Sequence, residues 1–436
     1  MPIWNSKYER MAREELEQLQ LERLQATVNR AYRNVPFYHR KFQQLNLAPE
    51  DVLSLNDIVK LPFTTKHDLR DGYPYEMFAV PLREIVRIHS SSGATTKPVV
   101  VGYTKNDLKH WTELVARVMS AAGVTKDDVV QIAFDYGLLT GGLGMHYGAE
   151  RLGASVIPVS SSNIERQIQI MQDFRSTVLI GTSSYALYVI EVMKKMGVSP
   201  AGLWLRVGLF GGEPMSEATR AEIESQLGII ATDNYGVSAV MGPGIAGECE
   251  LKEGLHINED HFLVEVIDPE TLEVLPEGEC GELVITTLTK EGLPMIRYRT
   301  RDVTSITREP CKCGRTTARM TPVRKRTDDM VIVRGINVYP AEIEALLYDI
   351  EHVEPHYQIV LDRENGLDEL TLMVELSPEM ISDQMTKLVE LEETIKKRVH
   401  SAVGLTPKVK LVEAKTLQSV DKSNRVIDNR EKHIRR

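Results

Sequence analysis

No stretch of the sequence approaches the roughly 20 consecutive apolar residues that span a bilayer. Nor is there a basic excess. Lys and Arg number 52 against 62 Asp and Glu, leaving a net charge of −10. Phosphate backbones select for a positive footprint, so neither nucleic acid nor a membrane is an expected partner. The opening residues, Met1-Pro2-Ile3-Trp4-Asn5-Ser6-Lys7, contain no apolar segment of a secretory signal, and a cytoplasmic, reducing location is the expectation. Cysteine is scarce, with four in 436 residues. So few thiols in such a compartment read as free thiols or metal ligands rather than a disulfide framework. There is no internal repeat or low-complexity tract, and the length suggests two or three domains.

The apolar pattern predicts one long amphipathic helix over 7–33, ended by Asn34-Val35-Pro36. Short apolar strands at 129–134, 155–159, 177–180, 206–210 and 229–232 alternate with helical stretches, including 105–122 and 145–152. That alternation specifies an α/β fold with parallel sheets in a large, multi-layered N-terminal domain. Strand-and-turn texture at about 250–325 predicts a β-rich subdomain. A small α+β C-terminal domain follows, so the expected division is 1–327 and 328–436.

Ser90-Ser91-Ser92-Gly93-Ala94-Thr95-Thr96-Lys97-Pro98 is the most informative stretch. Small residues let backbone N–H groups approach an anion, the hydroxyls add donors, and Lys97 adds charge. It is not a Walker A loop, which needs glycine before the lysine and Ser or Thr after it; Thr96 and Pro98 stand there. Taken alone, it reads equally as a polar surface turn.

Further motifs follow in order. They are Gly211-Gly212-Glu213-Pro214, Asp233-Asn234-Tyr235-Gly236-Val237-Ser238, Tyr298-Arg299-Thr300-Arg301-Asp302, Arg326-Thr327-Asp328-Asp329, Arg334-Gly335 and Asp421-Lys422-Ser423. In this order and spacing the chain resembles the adenylate-forming superfamily of acyl-CoA synthetases. Tyr136 to Gly144, His146 to Gly153, Ser238 to Gly244 and Asn258 to Phe262 carry a closer resemblance to the phenylacetate–CoA ligase family.

That resemblance implies an AMP-forming acid–thiol ligase using ATP, Mg2+ and coenzyme A on a small aromatic carboxylic acid. Ser90, Ser91, Ser92, Gly93, Thr95, Thr96 and Lys97 would hold the β- and γ-phosphates. Gly212, Glu213 and Pro214 with Asp233, Asn234, Tyr235 and Gly236 would form the adenine site. Asp302 would take the ribose hydroxyls, Ser238 the α-phosphate, and Arg326 would sit near ribose and phosphate. Phe134, Tyr136, Gly141 and Gly142 would line the acid pocket, where glycines make room for a planar ring; the alternative is a set of core aromatics. Lys422 would be catalytic, neutralising charge as the carboxylate attacks the α-phosphorus. Asp328 would be the hinge of a mobile C-terminal lid, with Arg334 and Gly335 along the coenzyme A channel.

Three departures from the family pattern stand out. Ala239 replaces the glutamate that holds Mg2+, leaving Glu248 or water as substitutes. Thr96 replaces a loop glycine, and Asp421 replaces the glycine before Lys422. The alternatives kept open are an adenylyltransferase with another final acceptor and a weakly active nucleotide- or acid-binding relative.

Cys311-x-Cys313-Gly314 forms a tight thiolate pair, with Cys249 and His256 upstream. Three Cys and one His suit a structural, tetrahedral Zn2+ site; the alternative is unrelated thiols. A homodimer is the default assembly.

Overall fold

The computed structural model of the chain describes residues 2–91, 97–160, 163–323, 325–328, 330–348, 350–364, 366–377, 385–413, 416–417 and 425–430. Four expected site residues of the phosphate loop, Ser92, Gly93, Thr95 and Thr96, and the expected catalytic Lys422 lie outside them.

The expected first helix is two: Ser6–Glu9 and Arg13–Asn34. Glu9 explains the break. Its backbone carbonyl accepts from Thr316 N at 3.0 Å, and its carboxylate accepts from Arg315 Nε at 2.6 Å. The first turn is therefore bound to a distant loop instead of continuing the helix. Pro36 then starts a new helix, Pro36–Gln44, where its missing N–H costs nothing.

Among the described residues, nine strands form the central sheet. Its order runs Ile306–Thr307, Arg319–Met320, Leu255–Ile257, Gly242–Glu248, Ile230–Val237, Val207–Gly211, Val178–Gly181, Val129–Ile132, Ser155–Ile157. The last five are parallel, as the strand–helix alternation requires, and the first four join antiparallel. The expected β-rich subdomain is thus only partly separate. Phe262–Ile267, Gly281–Thr287, Tyr298–Thr304 and Lys325–Arg326 make an antiparallel sheet of their own, while three short strands of the same region extend the central sheet.

The helix expected over 145–152 begins earlier and runs Thr140–Leu152. Gly141, Gly142 and Gly144 lie inside it. Glycine disfavours a helix by about 1 kcal/mol per residue in isolation, and packing overrides that preference here. A Cβ on Gly144 would stand 2.5 Å from Trp111, and one on Gly148 would press into Val115. Both partners belong to the helix Lys105–Ala121, which Thr104 and Asp107 cap reciprocally.

From Val331 onward the chain builds a separate core. Val333, Ile343, Ile359, Leu372, Ile395 and Val399 are among its buried members. Its four-stranded sheet runs Lys408–Val412, Leu367–Leu376, Val353–Glu364, Val426–Asp428, backed by the helices Pro340–Tyr348 and Met385–Val403. This unit rests on the helix Ser183–Met196, where a Cβ on Gly366 would meet Glu191 and the Leu187 carbonyl at 3.0 Å.

Candidate active site

Open parallel sheets bind ligands beyond the carboxyl ends of their strands. Four neighbouring strands end at that edge, three of them carrying expected motifs. Val129–Ile132 leads to Phe134 and Tyr136, and Val178–Gly181 to Thr182 and Ser183. Val207–Gly211 leads to Gly212, Glu213 and Pro214, and Ile230–Val237 carries Asn234, Tyr235 and Gly236 to Ser238. Gly211 pairs with Asn234, whose side-chain amide donates to Phe210 O at 2.7 Å. The two motifs expected at the adenine are therefore laid side by side.

Ser90 and Ser91 end one strand of a two-stranded hairpin, Ile85–Ser90 with Val100–Thr104, and Lys97 is exposed on the way back. The base of this hairpin is fixed. Ser91 N donates to Val99 O at 2.9 Å, and Ser91 Oγ accepts from Val99 N at 3.0 Å. Behind it, Tyr103 stacks on Trp111 at 4.9 Å, and His89 meets both edge-on. Ser90 N and His89 Nδ1 both reach Leu138 O, tying the hairpin to the Phe134–Tyr136 loop.

Within the acid-pocket set, the Phe134 ring lies between two glycines: a Cβ on Gly141 would touch it at 3.4 Å and one on Gly212 at 3.7 Å. Gly142 differs. Its Cβ would strike the Asp135 carbonyl at 2.5 Å, so it serves close backbone approach rather than ring space. Thr140, at the start of the same helix, shares a 2.8 Å hydrogen bond with Ser238 Oγ. The bond joins the start of the helix Thr140–Leu152 to the residue expected at the α-phosphate.

Glu213 accepts from Ser183 Oγ at 2.9 Å, Ser184 N at 2.6 Å and Ser184 Oγ at 3.0 Å. Its carboxylate caps the helix Ser183–Met196, which leaves the backbone of this motif as the part available to the expected adenine. Burial and then the nearby Asp368 push the Glu213 carboxyl above its ordinary range, against those three donors.

Asp302 is buried, and burial raises its carboxyl while Arg326 and Tyr235 draw it back. Tyr235 donates to Asp302 Oδ2 at 2.6 Å, and Arg326 Nη1 donates to Oδ1. Arg326 also grips Asp328 through Nε at 2.7 Å and Nη2 at 3.1 Å. One continuous chain of contacts therefore joins Tyr235, Asp302, Arg326 and the expected hinge Asp328. Beyond it, Arg334 and Gly335 occupy a tight turn with φ of +52° and +76°, between Val331–Val333 and Ile336–Val338. Arg334 Nε donates to Asp368 O at 2.6 Å. Gly335 faces Thr182, whose Cγ2 would lie 3.1 Å from a Cβ there.

Ala239 is buried, and the suggested substitute Glu248 does not face the site. Glu248 is held bidentately by Arg220 at 2.6 and 3.0 Å and accepts from Asp233 N at 2.7 Å. It is a structural carboxylate, which corrects that expectation.

Cys249, His256, Cys311 and Cys313 are all buried, and their donor atoms lie within 4.8 Å of one another. Cys249 Sγ stands 3.9 Å from Cys311 Sγ, and Cys313 Sγ 3.4 Å from His256 Nε2. Zn–S bonds of about 2.3 Å give tetrahedral edges near these lengths. His256 Nδ1 contacts Thr317 Oγ1 at 3.3 Å, the outer-shell contact that orients a ligating imidazole.

His146, which contacts the Tyr136 hydroxyl at 3.3 Å, and Glu150, which contacts His146 at 3.1 Å, lay outside the expected site set. Only their i,i+4 spacing is a sequence signal for them.

The AMP-binding enzyme family matches residues 25–289, and the AMP-binding enzyme C-terminal domain matches residues 335–430. The chain is an AMP-binding enzyme of the acid–thiol ligase class. Within that class the chain belongs to the phenylacetate–CoA ligase family. It is 48% identical over 423 residues to phenylacetate-coenzyme A ligase of Thermus thermophilus, spanning 94% of this chain and 95% of the relative. It is 46% identical over 420 residues to that of Escherichia coli, spanning 96% and 95%. Among solved structures, 2-hydroxyisobutyryl-CoA ligase in complex with 2-HIB-AMP and CoA in the thioesterification state is 30% identical. It superposes with a TM-score of 0.93 over 98% of this chain and 93% of that one. The same ligase in the postadenylation state reaches 0.72 over 99% and 95%. The chain thus superposes better on the thioesterification-state structure than on the postadenylation one, over nearly the same share of both chains.

Proposed function

We propose that the chain adenylates an arylacetic acid, phenylacetate or a close relative, and passes the acyl group to the thiol of coenzyme A. Near-half identity with phenylacetate–CoA ligases over almost the full length of both partners carries this reading. In the first step a carboxylate oxygen bonds to the α-phosphorus and pyrophosphate leaves. In the second the thiol attacks the acyl carbonyl and AMP leaves.

The residues from Ser90 to Lys97 would take the β- and γ-phosphates, and Ser238 the α-phosphate. Asp302 would receive the ribose diol by exchanging its bonds to Tyr235 and Arg326. Phe134, Tyr136 and Gly141 would enclose the ring. Lys422 would neutralise charge in adenylation and leave when the lid turns at Asp328. Gly335, beside Thr182, would keep open the path of the pantetheine arm. Ala239 and the engaged Glu248 offer no carboxylate for Mg2+, so the metal would come as part of MgATP, held chiefly by phosphate oxygens. Zn2+ fits the Cys249, His256, Cys311 and Cys313 set as a structural ion remote from the chemistry. No helix among the described residues is long and apolar enough to cross a membrane. A cytoplasmic homodimer is the assembly proposed, to be checked by light scattering.

The test is incubation with ATP, coenzyme A and a panel of aryl and alkyl acids, with pyrophosphate and thioester measured separately. Both products should appear, and most efficiently with arylacetates. Pyrophosphate without thioester would move the assignment to an adenylyltransferase.

A further inference from the structure

Tyr136 does not stand alone at the edge of the sheet. Its hydroxyl lies 3.3 Å from His146 Nδ1, and His146 Nε2 lies 3.1 Å from Glu150 Oε1. The Tyr136 and His146 rings meet edge to face at 5.7 Å. His146 and Glu150 are one turn apart on the helix Thr140–Leu152. The relay runs from the half-buried phenol out to an exposed carboxylate.

Proton positions follow from what each group can do. An ionised carboxylate only accepts, so Glu150 requires the imidazole proton on Nε2. In neutral imidazole that leaves Nδ1 with a bare lone pair. The phenol must then donate to Nδ1, and burial keeps it protonated by pushing it up to about 12. With its one proton committed, the Tyr136 oxygen has only lone pairs left to offer.

We infer that the acid pocket selects arylacetic acids carrying a hydrogen-bond donor on the ring, a hydroxyl or an indole N–H, and that Tyr136 reads this donor as an acceptor positioned by His146 and Glu150. The inference rests on the arylacetate reading and refines its substrate class. A methoxy or keto group would set lone pairs against lone pairs. His146 touches no substrate and is a positioning residue.

The experiment is internal competition, in one mixture, between hydroxy- and methoxyphenylacetates substituted at the same ring position, at the 3- and the 4-position, with phenylacetate as reference. Ratios of kcat/KM do not depend on how much enzyme is folded. One net hydrogen bond is worth about 1 kcal/mol, so the wild type should favour hydroxy over methoxy by ~5- to 10-fold at one position or both. Tyr136→Phe should collapse that ratio to near unity. His146→Leu should also collapse it, but by a gain: the released phenol proton can donate, and the methoxy acid should improve relative to phenylacetate. Loss of packing alone would not produce that gain. Turnover of arylacetates with the same hydroxy-to-methoxy ratio in wild type and Tyr136→Phe overturns this inference and spares the function. Turnover of other acids only, with no arylacetate consumed, overturns both.

Discussion

Arg70 Nη2 donates to Glu342 Oε1 at 2.6 Å, joining the short helix Lys66–Asp71 to the first turn of Pro340–Tyr348 in the C-terminal unit. Beside it Lys66 Nζ donates to the Tyr339 hydroxyl at 2.7 Å and lies 3.9 Å from the ring centroid. The Arg70 and Glu342 side chains are 18% and 11% exposed, so the pair is partly shielded from water. These contacts cross between the two units in the arrangement that matches the thioesterification state.

Arg70→Glu is therefore expected to slow conversion of supplied acyl-adenylate to thioester by ~10-fold or more, less than a fully buried pair would cost because this one is partly exposed. Adding Glu342→Arg should restore most of the rate. Adenylation, followed by pyrophosphate release, should change little. Equal slowing of both half-reactions would show that the bridge does not distinguish the two arrangements.

Lys422→Ala is expected to lower adenylation by about two to three orders of magnitude, the scale of a lost transition-state donor. It should still turn supplied acyl-adenylate into thioester. Single-turnover assays of each step decide this, and parallel loss of both would remove Lys422 from its assigned role.

Zinc should be present at one ion per chain by atomic emission, and Cys311→Ser with Cys313→Ser should abolish it. The adjacent Arg315 holds Glu9 and, at 2.8 Å, the Pro2 carbonyl. Metal loss should thus first expose the N-terminal turn to protease, while the ratio of the two half-reactions holds. A metal-free wild-type protein of full stability would sink the assignment.

Lys290 is buried, donates to Val240 O at 2.6 Å and lies 4.6 Å from the Tyr103 ring centroid. Burial lowers it to about 7, with Asp107 opposing. Between that value and the ordinary 10.5 the unfolded chain holds a proton that the folded chain lacks. Stability contributed through this residue should rise with pH across that window and level off below it. Urea midpoints from pH ~6 to ~9 should show the rising term in wild type relative to Lys290→Met. A pH-independent difference between the two would contradict it.

Local periodicity was enough to place the parallel strands and most helices, because each buries its own apolar residues. It missed the start of Thr140–Leu152, where glycines that look like a turn are set by Trp111 and Val115 in another helix. Nor could the sequence choose between Glu248 and water at the Mg2+, since the partner that engages Glu248, Arg220, lies 28 residues away. The motif residues were legible one by one. What could not be read was their mutual engagement: Tyr235 and Arg326 on Asp302, or Ser183 and Ser184 on Glu213. Such contacts arise only once the strands are ordered in space.

The glycine contacts along Lys105–Ala121 bear on how this pocket can diversify. Gly144 abuts Trp111, Gly148 abuts Val115, and a Cβ on Gly247 would stand 2.5 Å from Val118. These contacts leave no slack, and they gauge the spacing between the helix that opens at the acid pocket and the strand that follows Ser238. Neither can slide or tilt without collision. With the acid pocket proposed above, a change of acid preference would come from exchanged side chains on the 134–139 loop or at Gly141 rather than from a shifted backbone.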